Sequence, residues 1–392
     1  MAFGSCKKEA AGDRGETGTL EAKIIFGGTA SRATSKAIPL TSWKSIKQIQ
    51  MFLYDQAGKI KFSDTILPPQ TGIIQRTWSM VPAGTYTLAI VANAKSSTDN
   101  VHTMIGTSAL AWTGMNVRNQ TIADLDIQHK ASAFPTAISG MFSSTQLKPF
   151  QEPSEVFMAY ATGVTITSGT TTDITANPLQ LKREVSLMRV RLRVNDKGQL
   201  FDNSDIDFTH AQTSLLIYTL PADMNISEGN AGGVSTTSDD KAVLVAADGA
   251  TTFRTGDPTT ATHNPIGIVD ADYTHWKEVV VFPNNGGRAV TTPNVNAPTT
   301  QRYYVVITAH APKDHLLSDG SKVTDAGGTL IHWAGLVEGA FSPNTIREVN
   351  LNLSSGGATG VPTEPAKEGG LTIKINDPLP WSSNIESTSL DI

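Results

Sequence analysis

The chain has a single cysteine in 392 residues, which excludes an intramolecular disulfide framework and any cysteine-based zinc site. Charge is scarce as well, at 17% of residues with a net charge of −5. Apart from one short stretch, Lys and Arg gather on no tail or face, so nucleic acid and anionic membranes are poor partners. The eight histidines are scattered, with no His-Glu-x-x-His and no pair at metal-ligand spacing. Missing too are a Gly-x-Ser-x-Gly elbow, a phosphate-binding glycine loop ahead of a helix, and Gly-x-Gly-x-x-Gly after a strand. Carboxylate pairs such as Asp239 and Asp240 occur, but no pattern sets two of them across a cleft. Asp202 to Asp207 clusters oxygens without the central Gly and terminal Glu of a calcium loop. These absences point to a protein that is not an enzyme and needs no cofactor or metal. No segment approaches membrane-spanning length.

What the chain does have is Thr, Ser, Gly and Asn in abundance, the composition of an antiparallel all-β protein with many turns. Its length exceeds one ordinary core, so two β-sandwich domains are expected. Cys6 follows the small-residue run Phe3-Gly4-Ser5, which resembles a bacterial lipobox, and residues 1–18 then read as a lipoprotein N-terminus with a polar tether. A tag remnant or a stray surface thiol is the alternative, because the apolar segment that should precede a lipobox is missing; truncation of the signal peptide at Met1 would account for that absence.

Strand patterning begins at residues 20–26, where Leu20, Ala22, Ile24 and Phe26 share one face while Glu21 and Lys23 point away. Residues 27–36 form a small, polar linker whose bulky side chains are Arg32 and Lys36, open to proteases. Further strands are expected over Ile46 to Tyr54, Tyr86 to Ala94, Val156 to Ala161 and Val164 to Thr167, with Pro82-Ala83-Gly84 as a turn. Ser96 to Gln146 reads as irregular, with room for a short helix. The domains divide at about residue 180, giving 19–180 and 181–392. In Leu179 to Val194 the apolar Met188, Val190, Leu192 and Val194 alternate with Arg189, Arg191 and Arg193, which read as a solvated strand face. The second domain repeats the pattern over Leu215 to Leu220, Lys277 to Phe282, Tyr303 to Ala309 and Ile346 to Leu353. After a Gly- and Pro-containing linker, an isolated strand places Leu371, Ile373 and Ile375 on one face, followed by Leu379, Trp381 and a polar tail.

The order of these features resembles the fimbrillins of Bacteroidales, the major and minor subunits of type V pili. Tyr86 to Asn93 is similar to that family's strand ending in Ala-Asn, and Leu179-Gln180-Leu181-Lys182-Arg183 to its interdomain seam. Ile346 to Leu353, with the Gly-rich linker and the strand that ends near Trp381, is similar to its C-terminal end. The resemblance implies two transthyretin-like antiparallel sandwiches in tandem and export as an outer-membrane lipoprotein, palmitoylated at Cys6. It also implies cleavage between Arg32 and Ala33 by an arginine-specific protease, which removes the first strand. The C-terminal segment, residues 368–392 with Leu371, Ile373, Ile375, Leu379 and Trp381, then fills the vacated groove of another subunit, giving a homo- or heteropolymer at the cell surface. A stalk role is the first reading, with tip and anchor as alternatives. A glycan-binding lipoprotein, with Trp78, Trp112, Trp276 and Trp333 at a sugar site, is the alternative of another class, although tryptophans in sandwiches are more often core.

Overall fold

A computed structural model describes residues 16–25, 46, 48–66, 73–95, 99–105, 108–109, 117–142, 147–194, 201–221, 223–226, 238–248, 253–255, 273–284, 302–338, 341–362, 371–375 and 379–380. Within them the chain is all-β, relieved by one 3-10 turn at Ile122–Asp124. In chain order the strands of the first half are β1 (Thr17–Ile25), β2 (Ile49–Tyr54), β3 (Ile60–Ile66), β4 (Ile73–Pro82), β5 (Gly84–Ala92), β6 (Val101–Ile105), β7 (Ser108–Ala109), β8 (Leu125–His129), β9 (Lys148–Gln151), β10 (Phe157–Ile166), β11 (Thr171–Asp173), β12 (Leu179–Gln180) and β13 (Lys182–Arg183). The second half supplies β14 (Ser186–Val194), β15 (Ser214–Pro221), β16 (Asp223–Asn225), β17 (Ser238–Asp248), β18 (Arg254–Thr255), β19 (Tyr273–Val281), β20 (Arg302–Ala311), β21 (Thr329–Glu338), β22 (Thr345–Leu353), β23 (Leu371–Ile375) and β24 (Leu379–Pro380).

Two pairs of sheets enclose apolar cores. In the first pair, β1 lies between β4 on one side and β11 and β12 on the other, and this sheet faces the sheet β13-β10-β5-β2-β3. The alternation at Leu20, Ala22 and Ile24 works as the period-2 rule requires, since all three enter a core with Met51, Leu53, Leu88, Ile90 and Phe157. The Pro82-Ala83-Gly84 turn carries the chain from one layer to the other, and the Tyr86 hydroxyl donates to the Ala83 carbonyl at 3.1 Å. In the second pair, the sheet β18-β19-β14-β22-β23 packs on β21-β20-β15-β17-β9, burying Met188, Val190, Leu192, Val349, Ile307 and Trp333 together.

A third core joins the halves. The outer face of the β2/β5 sheet (Phe52, Ala89, Val91) and the outer face of the β14 sheet (Leu187, Val280, Ile346) meet around a small sheet, β16-β8-β6-β7, which contributes Val101, Leu125, Ile127 and Met224. This explains why all six residues of β2 are buried, when its sequence alternates only on one side. The small sheet also corrects the expectation for Ser96 to Gln146. That stretch holds β6 and β8, whose polar Thr103 is buried by donating to Gln50 Oε1 at 3.0 Å, a satisfied polar contact that hides a strand from an apolar pattern.

Candidate functional site

β1 is seated between strands on both flanks. Its expected span of 20–26 is observed as Thr17–Ile25; Phe26, Arg32, Ala33 and Cys6 lie outside the described residues. Leu20, Ala22 and Ile24 are fully buried. Antiparallel to β4, Leu20 stands opposite Trp78, Ala22 opposite Arg76 and Ile24 opposite Ile74. On the other flank β1 runs parallel to β11 and β12, with Leu20 beside Thr172 and Ile24 beside Leu179. Flanking loops complete the seat: Thr19 N–H donates to the Thr170 carbonyl, and the carbonyls of Thr17, Glu21 and Ile25 accept from the N–H groups of Gly169, Ile174 and Leu181, each at 2.9 Å. Withdrawal of β1 would therefore orphan backbone groups on both sides of a slot, at a cost comparable to a lost hydrogen bond for each group left buried.

Sequence reasoning missed two parts of this seat. One is β4, whose inward residues Ile74, Trp78 and Val81 do not fall at even spacing. Met80 adopts φ 57°, and the pairing with β1 shifts register at that point, so a bulge breaks the period. The other is Gly18, where a Cβ would collide with the Thr167 carbonyl oxygen and stand 3.0 Å from Ile166 Cγ2 and the Thr170 oxygen. The end of the slot admits backbone only.

The C-terminal segment is a strand within its own domain. β23 pairs antiparallel with β22, from Val349↔Ile375 to Leu353↔Leu371, and β24 extends the same flank at Ile346↔Leu379. Among the described strands it pairs with β22 alone, at the end of its sheet. Trp381 lies outside the described residues.

The junction between the halves carries buried charge. Arg189 and Arg191 are not solvated, which corrects the expectation for that face: Arg189 is 0% exposed, Glu278 2% and Glu348 6%. Arg189 Nη2 lies 2.8 Å from Glu278 Oε1 and Nη1 3.3 Å from Glu348 Oε1, while Arg191 Nε donates to Asn350 Oδ1 at 2.7 Å. Arg193, at the strand end, is exposed as expected. Beside them Arg183 pairs with Glu155 and donates to Asn344 Oδ1 at 2.9 Å, tying the first half to the loop before β22.

Glu184 is buried at the same seam, and desolvation pushes its carboxyl up to about 7, against the pull of Lys182. A folded-state value raised above the unfolded one gives stability that is complete below about pH 4.5 and is lost as pH rises through about 7. Glu184→Gln is expected to match the parent at pH 5 and to exceed it at pH 8 by at most on the order of 3 kcal/mol. Urea midpoints at the two pH values check this, and an equal offset at both would contradict it.

The tryptophans bear on the sugar-site alternative. Trp78, Trp276 and Trp333 are buried, with Trp333 Nε1 donating to the Ser355 carbonyl at 2.9 Å; Trp112 lies outside the described residues. The Asp202 to Asp207 loop spends its polar groups internally. Asp202 caps the Ser204 N–H, Asn203 donates to the carbonyls of Leu353 and Ser355, and Asp205 pairs with His315. Among the described residues no group of His, Cys, Asp or Glu is arranged to hold a metal ion.

The fold has a counterpart among solved structures. A protein from Bacteroides eggerthii assigned to cell adhesion superposes with a TM-score of 0.50 at 13% identity, covering 94% of this chain and 97% of that one. A fimbrilin from Porphyromonas gingivalis gives 0.46 at 12% identity, covering 94% and 98%. The tip fimbrial protein Mfa3 of the same species gives 0.39 at 8%, covering 93% and 100%. No curated protein sequence matches the chain. The family of fimbrillin-A associated anchor proteins Mfa1 and Mfa2 matches residues 37–228, and over that region the chain is similar to it.

Proposed function

We propose that this chain is a non-enzymatic subunit of a surface fimbria that polymerises by protease-triggered strand exchange. The observation that carries the reading is the placement of β1, a strand whose inward Leu20, Ala22 and Ile24 are fully buried and which is bonded on both flanks, followed in sequence by a linker that carries Arg32 and Lys36. Cleavage between Arg32 and Ala33 leaves β1 seated without a covalent link to the slot. A segment held in place only by contacts is replaceable by a strand that fits as well.

The tail is the replacement. Its departure from the β22 edge sacrifices backbone pairing on one flank only, and its entry into the slot restores on both flanks the pairing that β1 gives up. Donation at one end and acceptance at the other is a heterologous contact that does not close, so it propagates as a filament. Before processing, a lipidated Cys6 tethers the chain to the outer membrane.

A chain with both a removable strand and a donor tail fits a stalk subunit. The family description of anchor proteins supports a second reading, an anchor that keeps β1, and cleavage at Arg32 in cells separates the two. Deleting residues 371–392 tests the donor role: cut subunits so truncated are expected to stay monomeric alone and, mixed with uncut intact chains whose slots are still filled, to stop at dimers on gel filtration. Filaments built from the truncated chain alone would move the donor elsewhere.

A further inference from the structure

We infer that the slot under β1 is cut for this chain's own tail in a single register, Gly369 at the position of Gly18, so that the fitting partner is a second copy of this chain. The inference rests on the strand-exchange reading and specifies who enters and how.

The segment Gly18-Thr19-Leu20-Glu21-Ala22-Lys23-Ile24 and the segment Gly369-Gly370-Leu371-Thr372-Ile373-Lys374-Ile375 are identical at four of seven positions without a gap. Three of those four are the inward positions Gly, Leu and Ile, and the fourth is the outward Lys. The slot explains why these matter. At Gly18 the walls at Thr167, Ile166 and Thr170 leave no space for a side chain. Two residues on, Leu20 fills the site opposite Trp78, and at the far end Ile24 packs between Ile74 and Leu179. An occupant must therefore bring glycine, then a large residue, then a small one at the Ala22 site, then a second large one. Gly369, Leu371 and Ile375 meet that demand in order.

Other registers fail on the same geometry. A slip of one residue turns Thr372 and Lys374 inward, because side chains alternate strictly along a strand. A slip of two in one direction drives Leu371 into the Thr167 wall. A slip of two in the other leaves Gly369 in the Leu20 site, an unfilled cavity. The tail also runs in the sense of β1, antiparallel to β4, when Gly369 leads. The one departure is Ile373 at the Ala22 position, where a larger side chain must be accommodated in a filled core.

Two adjacent glycines give the test. In the full-length chain cut after Arg32, Gly369→Val is expected to reduce the yield of polymer roughly tenfold or more, since a β-branched side chain cannot enter the closed end of the slot. Gly370→Val, which falls at the outward, side-chain-bearing Thr19 position, is expected to polymerise like the parent. Equal tolerance of both, or the reverse order, overturns the register. If the cut parent itself does not polymerise, the strand-exchange reading fails and this inference fails with it. A second experiment isolates the fit from exchange. Thr19→Gly, Glu21→Thr and Ala22→Ile in the uncut chain write the tail's sequence into β1, and this variant is expected to fold and melt cooperatively, whereas adding Gly18→Val is expected to abolish that transition. If the three-fold variant does not fold, the slot rejects the tail's sequence and the partner is not this chain, with exchange by another subunit still open to test.

Discussion

Limited digestion with an arginine-specific protease is expected to cut after Arg32 and to turn a monomer into a ladder of species that survive sodium dodecyl sulfate without heating, while Arg32→Ala remains monomeric under the same digestion. Before the cut, β1 is tethered to its slot, and any rival strand in solution competes against an intramolecular partner at millimolar effective concentration or above. After the cut that advantage disappears, and only the contacts of β1 hold it. Burial of Leu20 and Ile24 stabilises by roughly 1.5–3 kcal/mol each, and the tail offers Leu371 and Ile375 for the same sites. A neighbour's tail that stays joined to its own folded body then wins by mass action as the freed peptide diffuses away. Clean cleavage followed by an unchanged monomer on gel filtration would defeat the mechanism.

Replacement of Arg189 is expected to be the most damaging single change away from the slot. Arg189 stands between Glu278 and Glu348, all three buried at the junction of the two halves. Arg189→Met removes the positive charge and leaves two carboxylates facing each other out of water, a loss of roughly 3–5 kcal/mol. The triple change Arg189→Met, Glu278→Leu, Glu348→Leu removes the charges together and is expected to recover most of that loss. Chemical denaturation of the three chains gives the comparison, and a single variant as stable as its parent would mean that solvent reaches the cluster.

The sequence already shows β1. Leu20, Ala22 and Ile24 alternate against Glu21 and Lys23, and local periodicity is all that a half-buried strand needs. It misleads at Arg189 and Arg191, because the partners that make their burial possible, Glu278, Glu348 and Asn350, lie 89 to 159 residues away. Until the fold brings those acids alongside, an arginine in every second position reads as a wet surface. The strands at Val101–Ile105 and Leu125–His129 escape notice for a related reason. They are short, and Thr103 and His129 are buried polar residues whose environment comes from other layers; His129 stacks on Phe282 at 4.0 Å, and desolvation drives its imidazole down to about 3. Gly18 is legible only in retrospect, since nothing near it in sequence announces that the loop at Thr167 to Thr170 will close over it.

The double flank of β1 has a mechanical consequence. A strand bonded to one neighbour at the rim of a sheet peels away when pulled from one end, its bonds failing in turn. A strand held by β4 on one side and by β11 and β12 on the other resists a pull along its axis through many bonds at once, so a fibre jointed at this position would be loaded in shear and would hold under drag that unzips an edge.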